Sequence, residues 1–172
     1  MFLKYTKIFF AKRMLSKSFL SANNVNCSEP IKTIGIIVDE SCFFEKENLL
    51  KLISDKGIKI ENIEILVYKD KIKKKEVINY PSFSKNDVSC LATIENTSAK
   101  DFNAKKFDML ISYYDVNKTP LIIVTHLSLA KFKVGFALAD KRLNHFMINT
   151  NVQNYKVFVD ELFRYLKILN KI

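Results

Sequence analysis

The 172 residues, 48% hydrophobic and 27% charged, have the composition of a folded globular chain and exclude a disordered one. That length suits one core that buries roughly two-thirds of the unfolded surface without metal or disulfide support. The net charge of +10 invites an anionic partner, and the three widely separated glycines, Gly35, Gly57 and Gly135, exclude a glycine-rich phosphate loop.

Residues 1–28 hold Lys4, Lys7, Lys12, Arg13 and Lys17 and no acid, so half of the net charge precedes Glu29, the first carboxylate. Lysines interrupt the apolar residues too often for a transmembrane span or a signal-peptide core. Phe2, Phe9 and Leu20 share one side of a helix, while the other apolar positions spread around it. Three readings are open: a helix packed on the domain, a basic arm contacting membrane or RNA, and, in a eukaryotic host, a cleaved targeting peptide. Ser21 to Pro30 reads as a linker, which divides the chain into an arm and linker over 1–30 and an α/β domain over 31–172.

The β-branched run Thr33 to Asp39 predicts a buried strand. Phe44 to Lys56 predicts a helix with its apolar stripe at Leu49, Leu50 and Ile53, stopped by Gly57 in a left-handed conformation. Ile63 to Tyr68 is the next strand, parallel to the first by default across an intervening helix. Asp70 to Phe83 reads as an exposed excursion, with a short strand at Glu76 to Tyr80 ended by Pro81. Ser84 is placed to cap a short helix running to Leu91, and 92–106 reads as loop with a turn or two of helix.

Phe107 to Tyr114 predicts a further strand. Thr119 is the expected N-cap of a helix over Leu121 to Lys131 with Pro120 first in it, against a β-branched start that argues for strand. Phe132, Val134 and Phe136 alternate as a strand does, and His145 to Asn149 gives another. Ala137 to Asn144 is too short for a full crossover helix. Tyr155, Phe158, Val159, Leu162, Leu166 and Leu169 fall at helical spacing, with Asp160 and Arg164 four apart to pair. The sum is a small three-layer α/β fold, a mostly parallel, doubly wound, Rossmann-like sheet with a basic N-terminal helical arm.

Phe107 to Asp115, Lys131 to Phe136 and Glu161 to Leu166 resemble stretches of an uncharacterised family of small α/β proteins from Bacteroidota, a domain of unknown function. The likeness covers about residues 31–172. It implies a bacterial, cytoplasmic setting and carries no activity, cofactor or site residue.

Ligands of open α/β sheets bind beyond the strand carboxyl ends. Asp39 and Glu40 follow the first strand and Asp115 a later one; were those strands neighbours, three carboxylates would meet and could hold Mg²⁺, although loop and cap acids are the commoner role for such residues. Lys71, Lys73, Lys74 and Lys75 beside Tyr68, Tyr80 and Phe83 form the mixture that neutralises a nucleic-acid backbone and stacks its bases, or else a solvated loop. His126 lacks an orienting acid and reads as a satisfied or surface histidine, as does His145 at a strand start. Cys27, Cys42 and Cys90 fit a reducing compartment, without disulfide framework or zinc site. Only three of the 28 basic residues are Arg, which weakens specific base readout. The leading expectation is a non-enzymatic module binding a polyanion (RNA, ribosome or anionic membrane surface) or a protein, without cofactor. The alternative is a Mg²⁺-dependent enzyme or small-ligand-binding domain with its site at Asp39, Glu40 and Asp115. A third is a structural subunit whose charge reflects genome composition alone.

Overall fold

A computed structural model describes residues 29–72, 79–89 and 91–172, together with Phe9 and Arg13. Six strands form one all-parallel sheet: β1 (Ile34–Asp39), β2 (Ile63–Lys69), β3 (Ser82–Ser84), β4 (Met109–Tyr113), β5 (Phe132–Phe136) and β6 (Phe146–Ile148), in the spatial order β3-β2-β1-β4-β5-β6. Four helices accompany them: α1 (Lys46–Asp55), α2 (Thr97–Ala104), α3 (Thr119–Leu127) and α4 (Tyr155–Ile168).

The central position of β1 follows from its composition, because a strand covered on both faces needs an unbroken apolar run, and all six of its residues are buried. Its register pairs Ile34 with Ile63 on one side and with Met109 on the other. Ile34, Ile36 and Val38 face the layer of α1 and α4, where Leu49, Ile53, Phe158 and Leu162 complete the packing. Ile37, Leu66, Leu110 and Tyr114 face the layer of α2 and α3, against Phe102, Leu121 and Val124. Two cores therefore sandwich the sheet, as the α/β reading requires. No helix among the described residues is long and apolar enough to cross a membrane.

Three local expectations are corrected, and one strand stands where none was expected. That edge strand lies at Ser82–Ser84, after Pro81; of the strand expected at Glu76 to Tyr80, residues 76–78 lie outside the described residues, and Asn79 and Tyr80 form a bend. Phe83 is fully buried against Tyr68, with ring centroids 5.3 Å apart, so burial of one aromatic residue fixes an edge strand too short to show a period. The helix at Ser84 is one 3₁₀ turn, Lys85–Asp87, because Ser84 and Asp87 close a capping box within three residues and the chain then turns into a bridge between Val88 and Ile94. Helix α3 begins at Thr119 itself, with Lys118 in the N-cap position, so the cap falls one residue earlier than its hydroxyl suggested. Asp160 pairs with Lys56, just past the end of α1, at 2.5 Å, while Arg164 pairs with Glu161, because the packing of α4 on α1 brings a cation closer to Asp160 than its own helix does.

The helix reading of 119–127 holds over the strand reading: Leu121, Ile123, Val124 and Thr125 are all buried against the sheet. Gly57 takes the left-handed conformation, φ +102°, that ends α1. Strands β5 and β6 run parallel although residues 137–145 between them contain only turns. The readings made for the first 28 residues fall outside the described residues, apart from Phe9 and Arg13, which have helical backbone and exposed side chains.

Candidate functional site

After β1 the chain turns to α1 on one face of the sheet; after the adjacent β4 it turns to α3 on the other. The two connectors diverge and leave a crevice at the strand carboxyl ends, the place where open α/β sheets receive ligands. Asp39, the last residue of β1, has a fully buried side chain at its floor. Its Oδ1 accepts hydrogen bonds from the Ser41 backbone at 3.0 Å and from Ser41 Oγ at 2.7 Å.

Lys118 completes the cluster. As the N-cap residue of α3 it has extended backbone, φ −87° and ψ 131°, and its side chain reaches back over the ends of β1 and β2. Its Nζ lies 2.9 Å from Asp39 Oδ2, 3.1 Å from Asp70 Oδ1 and within hydrogen-bond distance of Ser41 Oγ. It also stands 5.0 Å from the centre of the Tyr68 ring. An ammonium has three protons to donate, and three side chains take them. Burial pushes the Lys118 pKa down, but the hydrogen bonds and charges of Asp39 and Asp70 outweigh it and raise the pKa. The hydrogen bond from Lys118 holds the Asp70 carboxyl below its ordinary value.

Glu40 turns elsewhere, to Lys46 at 2.6 Å and Lys69 at 3.0 Å. Burial pushes its carboxyl up, and the hydrogen bonds and charges of the two lysines bring the pKa below the ordinary value. A polar cavity of about 160 Å³ adjoins it, lined in part by Asn79, Tyr80 and Ser82. Asp115 follows β4, half-buried, with no hydrogen bond or ion pair among the described residues. The structure thus brings Asp39, Glu40 and Asp115 to the ends of neighbouring strands, while Asp39 and Glu40 are claimed by separate lysines. Among the described residues no group of three or more His, Cys, Asp or Glu is disposed to hold a metal ion.

Lys118, Asp70 and Ser41 escaped the sequence reading. Asp70 carried a usable signal, an acid directly after a strand, as Asp39 ends one. Lys118 carried none, since a lysine before a Thr-Pro helix start is unremarkable until the sheet order places it opposite Asp39.

Cys42, beside the crevice, is a free thiol pushed up to about 11 by burial and by the charges of Asp39 and Asp115. Such a thiol is a poor nucleophile at neutral pH. Cys27 and Cys90 lie outside the described residues. The β1–α1 connector holds Glu40 and Glu45, with Glu47 in the first turn of α1, so this helix N-terminus repels phosphate.

Of the lysine run, Lys71 is exposed, and Lys73, Lys74 and Lys75 lie outside the described residues. The stacking part of that expectation is corrected: Tyr68 and Phe83 are 2% and 0% exposed and belong to the core, leaving Tyr80 half-buried with its hydroxyl 3.4 Å from Glu47 Oε1. The histidines have structural partners nearby. His145 Nδ1 accepts the Lys133 backbone N–H at 2.9 Å, and the ring stacks on Phe132. The Lys133 ammonium caps the end of α3, on the carbonyls of Thr125 at 2.7 Å and His126 at 3.2 Å.

The model of a family of unknown function (DUF6913) matches residues 7–169, from within the basic first segment to the end of α4. No curated protein and no solved structure matches the chain.

Proposed function

We propose, for a chain that belongs to this family of unknown function, a binding and not a catalytic role: a basic α/β module, bacterial and cytoplasmic, that holds an anionic partner. The observation that carries it is the distribution of charge. The first 28 residues supply five cations and no acid. At the strand ends, by contrast, the ion pairs of Asp39, Glu40 and Asp70 consume Lys46, Lys69 and Lys118 internally. The other concentrations of positive charge in the sequence are the first 28 residues and Lys71, Lys73, Lys74 and Lys75. A saturated Lys118 and a high-pKa Cys42 favour the non-enzymatic reading.

The test is retention of the full chain on a homopolymer RNA and on heparin as salt is raised. Binding that weakens steeply with salt, and further when Lys73, Lys74 and Lys75 become Gln, supports the reading. Absence of retention at low salt sinks it.

A second reading is favoured by the buried Asp39 at the crevice floor: a small-ligand domain or Mg²⁺-dependent enzyme using Asp39, Glu40 and Asp115. A cation entering there would displace Lys118 from Asp39. It predicts a rise in melting temperature with Mg²⁺ that Asp39→Asn abolishes; a flat response to Mg²⁺ in the native chain counts against it.

A further inference from the structure

Strand β2 is longer than its outer neighbour. Ile63 to Tyr68 pair with β1, but β3 covers only Val67, Tyr68 and Lys69. Along a strand the backbone groups of successive residues point to opposite edges. The Glu40 N–H donates to the Tyr68 carbonyl at 3.0 Å and the Val67 N–H donates to the Pro81 carbonyl at 2.9 Å, so the even-numbered residues of β2 bond inward to β1 and the odd-numbered ones point outward. Ile63 and Ile65 are therefore the outward residues that precede the cover of β3. The Ile63 N–H is taken by the Ile60 carbonyl. Three backbone groups, the Ile63 carbonyl and the N–H and carbonyl of Ile65, face the open edge with no partner among the described residues.

That edge borders a groove of about 770 Å³ beside α1, whose apolar lining is Leu50, Ile60, Ile63, Ile65, Tyr80 and Pro81. Ile63 and Ile65 turn their side chains to the layer of α1, so Glu64 between them faces the other side of the sheet. Ile60 is 57% exposed. The charged residues of the groove are Glu47, Asp55 and Glu64 against Lys51. Glu64 is paired with Lys105 at 2.6 Å, and the neighbouring Lys59 and Lys56 are paired with Glu61 and Asp160. This leaves the exposed Glu47 and Asp55 against Lys51, a local excess of acid on a chain of net charge +10.

We infer that the β2 edge at Ile63 to Ile65 is a docking site for an extended segment of a partner protein, which adds to the sheet as a strand in line with β3, lays apolar side chains in the groove and sets a cation beside Glu47 or Asp55. Alternating N–H and carbonyl groups along an open edge are matched by the backbone of another strand. An unpaired backbone N–H on a residue only 7% exposed is costly, and a pairing strand removes that cost while it covers the apolar lining. A second copy presenting the same edge carries the same excess of acid, so charge favours a partner of different sequence. The site uses none of the lysines named for the anionic-partner reading, so either can fail alone.

The probe is a capped peptide of alternating valine and threonine with a lysine at each end, added to the isotopically labelled full chain, with amide hydrogen exchange followed by NMR. In the chain alone the Glu64 and Leu66 amides, bonded to β1, should exchange slowly and the Ile65 amide rapidly; the peptide should slow Ile65 about tenfold or more. An Ile65 amide that is already slow without peptide means that the edge is occupied, by a second copy if dilution frees it, and overturns the proposal. An Ile65 amide that stays fast at about 1 mM peptide overturns it as well. Two further peptides, N-methylated on the valines or on the threonines, test the backbone pairing. One should bind as the parent does and the other about tenfold more weakly, because a strand offers only alternate N–H groups to its neighbour; equal effects overturn strand addition. Glutamates in place of the terminal lysines should weaken binding about threefold, and Asp55→Lys, an exposed position, should reverse that preference at an unchanged melting temperature. Indifference to both changes overturns the basic character assigned to the partner.

Discussion

Lys118 Nζ stands 2.9 Å from Asp39 Oδ2, joining the N-terminus of α3 to the end of β1 across 79 residues of sequence. The Asp39 side chain is fully buried and that of Lys118 only 23% exposed, so this pair is tied to the fold more closely than an exposed one would be. Removing the cation alone leaves a buried charge behind. Lys118→Met is expected to lower stability by about 3 kcal/mol, and addition of Asp39→Asn to recover much of it. Urea unfolding of the two single variants and the double variant measures the coupling; additive losses would mean that the pair does not act as a unit.

Gly135 and Asn144 form a second long-range fit. A Cβ on Gly135 would stand 2.4 Å from Asn144 Nδ2, and both residues are buried. Gly135→Ala should cost about 1 to 3 kcal/mol, the usual penalty of overpacking, and Asn144→Ala in the same chain should reduce that cost. Thermal melts of the three variants decide this, and an equal loss with or without Asn144 would refute the steric account.

The pH dependence has a definite sign. Burial, then the charge of Lys133, lowers the pKa of His126; burial, then Lys133 and Lys171, lowers that of His145. Between the ordinary imidazole value and the folded one the unfolded chain binds more protons, so stability is lost as pH falls through that window, below about 6.5. Lys133 is lowered by burial to about 8 against an unfolded value of 10.5, so stability rises as pH increases through the interval between them. Denaturation midpoints from pH 5.5 to pH 8.5 should climb at both ends of the scan; above that, Cys42 and the buried Tyr68, Tyr113 and Tyr114, whose pKa values burial raises, oppose the gain from Lys133. Lys133→Met should flatten the alkaline rise and stabilise the protein at neutral pH by about 1 to 3 kcal/mol; an unaltered slope would remove Lys133 as its source.

Cys42 should alkylate slowly. With its thiol at about 11, its thiolate fraction at neutral pH is about a hundredfold below that of an ordinary cysteine. Mass spectrometry of the Cys42 peptide after timed iodoacetamide treatment, repeated at rising pH, should show a rate still climbing above pH 9. A plateau near pH 8 would contradict the environment described for it.

Much of the architecture was legible because burial on both faces leaves a plain mark. The unbroken run of β1, the stripe of α4 and the left-handed stop at Gly57 each reflect a local physical requirement that the residues themselves state. The three residues of β3 left no such mark: Phe83 becomes a core residue only because β2 offers it an edge and Tyr68 a ring to pack on. Asp160 likewise had a partner at helical spacing, Arg164, and took Lys56 when α1 came alongside.

The acids were visible as acids, and their places after strands followed from the strand pattern. Their charge state as a group did not, because Lys118 meets Asp39 and Asp70 only once β2, β1 and β4 lie side by side. Sequence by itself determined the element types, the basic balance and the placement of carboxylates at strand ends, since each depends on neighbours a few residues away. Tertiary structure alone decided which lysine neutralises which carboxylate, since a Coulomb interaction follows distance in space, and the sheet order that sets those distances joins residues up to 79 positions apart at this site.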